Sequence, residues 1–382
     1  IIANPPYEVL DSKKTSAERI AQLRKNDIYK PAAEGQLNYF KLFLAKFLTH
    51  LNEDGVAAFI FPNAFIGDKT CTKIRKFVFD QNKLISLASY PECDDANRRV
   101  FKSAKVSVCI AHISKKISND YIFDLDVWQD KEKKGGFSNT FSKKFIQKDL
   151  YYRIPSLDKD GLKIYQKMIN NPDVIQLQNI GKVFSGELDM TIHKKFFSEK
   201  KNEKYSSPIL KGANIQSFYT TNDVSQGKNE FLDVKSFLKD NKSNRSSSFQ
   251  FDRIAMQGIS SVPMKYRLVS SLVKKNCFLA NSTNFIIKTS DDFTNNEIVV
   301  YLNSNLLNWF FKIFSTNVNV STYEINILPL LRFSKKDSIK INQMFKEFDK
   351  SNFLNFKNDL NVIVYNTFKL NEKEIEYIDS HF

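Results

Sequence analysis

An apolar strand end that runs straight into two prolines is the tightest constraint in this sequence. Ile1-Ile2-Ala3 reads as the end of a strand, and Asn4-Pro5-Pro6-Tyr7 follows at once. Proline holds φ at about −65° and carries no backbone N–H, so neither strand pairing nor a helix interior passes through positions 5 and 6. The chain must leave its sheet there as a loop, and at those two positions the loop offers carbonyl acceptors with no competing donors.

Downstream, strand-like and helix-like segments alternate. Residues 36–51 put Tyr39, Leu42, Phe43, Phe47 and Leu48 on one helical face. Asp54-Gly55 turns the chain into the apolar run at 55–61, which suits a strand buried on both sides. A helix over 68–80 and strands at 84–90, 106–113 and 121–128 complete the pattern of a mostly parallel α/β sheet. The chain opens at Ile1 without methionine, in what reads as a buried strand, and the expectation is a fragment whose earlier βα units lie upstream. Residues 131–139 read as a charged turn, and 157–171 as an amphipathic helix stopped at Pro172. The domain boundary is expected between 125 and 172, giving 1–150 and 151–382. Beyond it, strand-like runs at 174–180, 284–289 and 297–302 alternate with polar loops, and the loop at 239–248 is polar enough to be mobile. The last fifty residues look helical again.

Composition narrows the class of partner. The 57 Lys+Arg against 42 Asp+Glu leave a formal charge of +15, which favours a polyanion. Abundant Lys and Asn also reflect AT-rich coding DNA, which discounts part of that argument. With 34 Phe and 15 Tyr the chain has the apolar area to fold. No apolar run reaches about 18 residues, so no membrane span is expected, and no signal peptide opens the chain. Cys71, Cys93, Cys109 and Cys277 show neither metal-ligand nor disulfide spacing, which points to no metal and to a reducing cytoplasm.

The chemistry that fits Asn-Pro-Pro-Tyr is alkylation of an exocyclic amine. An adenine amino group is a poor nucleophile because its lone pair is delocalised into the ring. Two acceptors aimed at its N–H bonds, the Asn4 amide oxygen and the Pro5 carbonyl, draw the nitrogen toward tetrahedral geometry. Tyr7 offers a flat face to a base swung out of a duplex, and catalysis is positioning plus preorganised electrostatics. The same tetrapeptide resembles that of methyltransferases acting on rRNA and on protein glutamine.

With the stretches at 52–66 and 100–113, residues 4–116 resemble the catalytic half of a gamma-arrangement adenine-N6 DNA methyltransferase. Segments 208–218, 252–271 and 301–330 are similar to recognition domains of restriction-modification enzymes, including fused endonuclease/methyltransferases. The resemblance implies an α/β fold: the C-terminal half of a Rossmann-like S-adenosylmethionine methyltransferase sheet, followed by an α+β target-recognition domain. It implies Asn4, Pro5, Pro6 and Tyr7 as catalytic residues, with Phe101 packing on the flipped adenine opposite Tyr7. It also implies double-stranded DNA as partner and S-adenosylmethionine as cofactor, with a possible separate nuclease or specificity subunit. No glycine-rich FxGxG-type loop is present, so the cofactor is expected to be held mainly by an upstream segment, leaving this piece inactive alone.

DNA contacts are expected from Arg98 and Arg99 beside Phe101, and from Lys211, Arg253, Lys265 and Arg267 in the recognition segments. Asp124 with Glu132-Lys133-Lys134 is too loosely spaced for a metal-dependent nuclease, with Gly135-Gly136 suggesting a turn. Ser185-Gly186-Glu187 lacks the partners of a hydrolase. Three readings stay open: a site-specific adenine-N6 methyltransferase of a restriction-modification or phage-defence system, a bifunctional restriction endonuclease/methyltransferase, and a DNA-binding module without catalysis in this piece.

Overall fold

In the computed structural model all residues are described except 12–14, 117, 225–226, 262–263, 316–317 and 382. The chain divides into two compact units, Ile1–Leu162 and Lys163–Phe382, and the division falls inside one helix, Lys159–Ile169.

The first unit is built on strands β1 (Ile2–Ala3), β2 (Val56–Pro62), β3 (Lys83–Tyr90), β4 (Val108–Ser114), β5 (Ile122–Trp128) and β6 (Gly136–Ser142). They lie in the order β1-β2-β4-β3-β5-β6. Only β1–β2 and β3–β5 pair in parallel; the other three pairs are antiparallel. The expected mostly parallel sheet is therefore a mixed one. The reason is β4, which inserts between β2 and β3 and runs against both, together with β6, which returns from β5 through a tight turn. Gly135 and Gly136 make that turn with φ of 65° and 118°, and a Cβ at Gly136 would collide with the Val127 carbonyl.

Strand β1 pairs with β2 at one end of the strand order, and Ile2 is 93% exposed in this chain. Likewise β2 buries Ala57, Phe59 and Phe61 on one face while Val56 is exposed on the other. Helix α1 (Ala17–Lys25) buries no residue. Helix α2 (Tyr39–Thr49) starts where Asn38 accepts from the Phe40 N–H. Its buried residues include Phe40, Leu42, Leu44, Ala45 and Leu48, whereas Tyr39, Phe43 and Phe47 are half-buried, so the core-facing stripe is rotated from the expected one. Phe61 stacks with Phe40 at 5.8 Å and meets Phe65 at 4.9 Å. Each such buried ring contributes on the order of 1.5–3 kcal/mol of apolar transfer. After β2 the chain turns through α3 (Ala64–Gly67) and enters α4 (Thr72–Gln81).

The second unit is α+β. One antiparallel sheet orders Ser270–Val273, Arg253–Gln257, Thr283–Lys288 and Gly181–Ser185; a second, mixed sheet orders Phe278–Leu279, Ser207–Leu210, Glu230–Leu232 and Phe197–Ser198, its first pair being parallel. Helices Lys335–Lys346, Phe353–Thr367 and Glu372–His381 close the chain. Residues 297–302 lie in a helix, Asn295–Asn303, and not in a strand, because Thr294 and Glu297 form a capping box at its start. The polar loop at 239–248 is packed at its end: Ser246 and Ser248 are buried and donate to the Asn241 and Asn244 carbonyls. No helix among the described residues is long and apolar enough to cross a membrane.

Candidate active site

Asn4-Pro5-Pro6-Tyr7 leaves the sheet where β1 ends beside β2, Ala3 being in register with Phe59. Pro5 is buried and Asn4 and Pro6 are exposed, so the loop is anchored by one ring and open at the side chain that matters. The Asn4 amide makes no hydrogen bond to the described residues, and its oxygen is available. Asn38 fastens the loop: its Nδ2 donates to the Tyr7 carbonyl at 3.1 Å while its Oδ1 caps α2. The Tyr39 N–H donates to the Glu8 carbonyl, and the Leu10 N–H to the Leu37 carbonyl. Sequence reasoning missed Asn38, although an Asn directly before an apolar helix is a capping signal.

Tyr7 and Phe101, far apart in the chain, come together with ring centroids 6.1 Å apart and planes at 66°. The Tyr7 hydroxyl is buried without a hydrogen-bond partner among the described residues. Burial, and secondarily the nearby Cys109 thiol, hold its pKa well above the ordinary phenol value. Cys109 is itself pushed up by burial. Both groups are therefore neutral at physiological pH.

Arg98 and Arg99 lie on the loop that carries Phe101. Arg99 donates to the Cys93 and Lys102 carbonyls, and Arg98 donates to the Gln129 carbonyl at 3.3 Å and pairs with Glu92 at 3.6 Å. Both arginines fold this loop; Arg98 remains about half exposed, with 48% of its side chain accessible.

The second unit disposes of its expected DNA contacts differently. Lys265 is exposed. Lys211 pairs with Glu230 at 2.6 Å and donates to the Lys228 carbonyl, so it has a partner already. Arg253 and Arg267 are fully buried, which corrects their reading as phosphate or base contacts. The Arg253 guanidinium pairs with the equally buried Glu187 and donates to the Cys277 carbonyl. Arg267 donates to the Ser315 hydroxyl and carbonyl and to the Ser260 carbonyl. Burial pushes Arg253 down to about 10, which still leaves it charged. Glu187, from the Ser-Gly-Glu run, thus serves the core. Asp124 accepts from the Thr140 hydroxyl and Glu132 pairs with Lys134, and no cluster able to hold a metal occurs among the described residues.

The described residues supply no glycine turn of the kind that would cradle S-adenosylmethionine at a strand end. Among the described residues the glycines with positive φ are Gly35, Gly135, Gly136 and Gly227, and none of these four turns a strand of the six-stranded sheet into a helix, the place where a loop would cradle such a cofactor.

Comparison with known proteins defines the class. Residues 1–101 match the family "Eco57I restriction-modification methylase", and residues 207–333 match the "TaqI-like C-terminal specificity domain". The chain is thus similar to a restriction-modification methylase over its first 101 residues and to a specificity domain over 207–333. One curated relative is "Type II restriction enzyme and methyltransferase RM.Eco57I" from Escherichia coli, 28% identical over 186 residues, covering 46% of this chain and 16% of that enzyme. The fold is that of the Type IIL restriction-modification enzyme MmeI, solved with DNA (TM-score 0.59, 14% identity, 100% of this chain and 56% of that one). It is also that of the protein in the DrdV–DNA complex (TM-score 0.50, 12% identity, 91% and 43%). The chain spans less than two thirds of each of these relatives.

Proposed function

We propose that the protein to which this chain belongs is a site-specific DNA adenine-N6 methyltransferase of a bacterial restriction-modification system, working in the cytoplasm with S-adenosylmethionine as methyl donor. The observation that carries this reading is the meeting of Tyr7 with Phe101 beside an Asn4 amide that has no other task. The two aromatic rings receive an adenine turned out of the duplex. Their edge-to-face contact is not a ready-made parallel slot, so Phe101 shifts, or meets the base edge-on, as the base stacks on Tyr7. Asn4 Oδ1 and the Pro5 carbonyl then accept from the two N–H bonds of the amine, which localises its lone pair for attack. Because the described residues supply no such glycine turn, this segment alone is not expected to transfer a methyl group.

The test is methyl transfer from labelled S-adenosylmethionine to duplex DNA by the full-length protein and its Asn4→Ala variant. Label at adenine N6 is expected to fall about 10²–10³-fold in the variant, with DNA affinity kept. Full turnover without the Asn4 amide would sink the reading, and tight DNA binding without label in either protein would favour a recognition module. A second reading, fusion of nuclease and methyltransferase in one polypeptide, is favoured by the name of the Escherichia coli relative. Magnesium-dependent cleavage of unmethylated DNA by the full-length protein would establish it.

A further inference from the structure

Asn63 stands at the end of β2, where the chain leaves the sheet for α3. An asparagine at a helix start ordinarily caps it with its side-chain oxygen. Asn63 makes no such bond. Its Oδ1 accepts instead from the Ser89 hydroxyl at 2.9 Å, on the end of the neighbouring β3. Asn63 is 6% exposed and Ser89 1%, so the bond is sheltered and the amide plane is fixed. Its backbone N–H is also used, donating to the Ser107 carbonyl at 2.9 Å. That leaves the Nδ2 group, which has no partner among the described residues. Nδ2 is not one of the fully buried polar atoms left without a partner, so a mostly buried amide with its oxygen held keeps its two donors accessible to a ligand.

The surroundings say what those donors face. Ser89 lies opposite Cys109 in the β3–β4 register, and Phe61 lies opposite Cys109 from the other side, so the three side chains share one face of the sheet. The Cys109 thiol adds to the upward shift of the Tyr7 hydroxyl, after burial, as a neighbouring group does. The Ser107 carbonyl that takes the Asn63 N–H belongs to the loop carrying Phe101, which is tied back through Ala104 and Val106. Asn63 is therefore bonded to the end of the segment that carries Phe101 and, through Ser89, to the sheet face that holds Cys109.

Resting on the methyltransferase reading above, we infer that Asn63 is a base-reading residue: oriented by Ser89, its Nδ2 donates to an unprotonated ring nitrogen of the flipped adenine, N1 or N7, the two that flank the exocyclic amine. Asn4 and Pro5 present only acceptors, so they recognise the amine alone. A donor beside them adds recognition of the ring, and the pair of patterns, acceptor for the amine and donor for the ring nitrogen, accepts adenine while opposing a base protonated at that nitrogen. Ser89 acts as a positioning residue through Asn63.

The experiment uses the full-length protein and duplexes in which the target adenine is replaced by 1-deazaadenine or 7-deazaadenine. The unmutated protein is expected to lose about 10–100-fold in kcat/KM on one of the two analogues. Asn63→Ala is expected to lose a similar factor on adenine and nothing further on that analogue. Asn63→Asp, which keeps the shape and the Ser89 bond but replaces donors with an acceptor, is expected to lose more than Asn63→Ala, and Ser89→Ala less. Losses that multiply between Asn63→Ala and both analogues, or an Asn63→Asp variant with normal kcat/KM on adenine, would overturn the inference while leaving the methyltransferase reading intact. Absence of adenine methylation by the unmutated protein would instead overturn that reading itself.

Discussion

The two units treat their polar residues in opposite ways. In Ile1–Leu162 the side chain singled out for chemistry, Asn4, lies on an exposed loop with no other partner, and the aromatic rings that flank it are only half-buried. In Lys163–Phe382 the most prominent arginines of the recognition segments, Arg253 and Arg267, are core residues with committed hydrogen bonds. A charge in such a segment is therefore not by itself open to a partner molecule. What separates the cases is whether the donor has already been matched inside the protein.

The sharpest way to break that contrast is Arg253→Ala. Removing one partner of a buried ion pair strands the other, here the Glu187 carboxylate, at about 3–5 kcal/mol. The expected result is a drop of that size in urea-unfolding free energy, with a DNA affinity that follows the folded fraction. Replacing the pair together, Arg253→Met with Glu187→Leu, is expected to recover most of the loss. A stable Arg253→Ala protein that no longer binds DNA would make Arg253 a DNA reader after all. The Asn4→Ala test has the opposite signature, lost transfer in an equally stable protein.

That contrast also explains what the sequence could and could not reveal. The Asn-Pro-Pro-Tyr loop was readable because its consequences are local: two prolines end a strand wherever it sits. Strands β3, β4 and β5 were readable for the same reason, as short apolar runs. β6 was not, since Gly136–Ser142 is poor in β-formers and becomes a strand by pairing with β5. The helix Asn295–Asn303 was misread because its Ile, Val and Tyr run matches a strand; the Thr294–Glu297 spacing was the signal that would have corrected it. Arginine burial was invisible because the matching carboxylate, Glu187, is 66 residues away from Arg253. Asn63 needed the fold as well: nothing local shows that Ser89 turns its amide.

A smaller effect sharpens the contrast within the second unit. Lys357 is 5% exposed, with its ammonium 3.1 Å from the centre of the Tyr266 ring. Burial, and then the neighbouring Lys265, push its pKa down to about 7, against the pull of the ring beneath it. Because the unfolded chain holds this proton more tightly than the fold does, the fold is penalised while the group is charged. Stability from this group therefore rises as pH goes from about 7 toward the ordinary lysine range, by at most about 1.4 kcal/mol per pH unit. Unfolding free energies at pH 7 and pH 9 are expected to differ in the unmutated protein and to converge in Lys357→Met. Equal pH dependence in the two would show that Lys357 keeps its ordinary affinity for protons.

The smallest effect expected is that of Lys265→Ala, and it bears most directly on which cations of the second unit meet DNA. Lys265 is exposed, in the same recognition segment as the buried Arg267. A lysine that neutralises one phosphate releases about one counterion, so its loss reduces the slope of log K against log salt by about 1. The weakening is expected to be the same for cognate and unrelated duplexes, because a phosphate contact carries no sequence information. Arg267→Ala should do the reverse, destabilising the fold while leaving the salt slope of the folded protein unchanged. A Lys265→Ala variant with an unaltered slope would move the phosphate contacts elsewhere on this unit, and a loss confined to the cognate duplex would make Lys265 a reader of sequence.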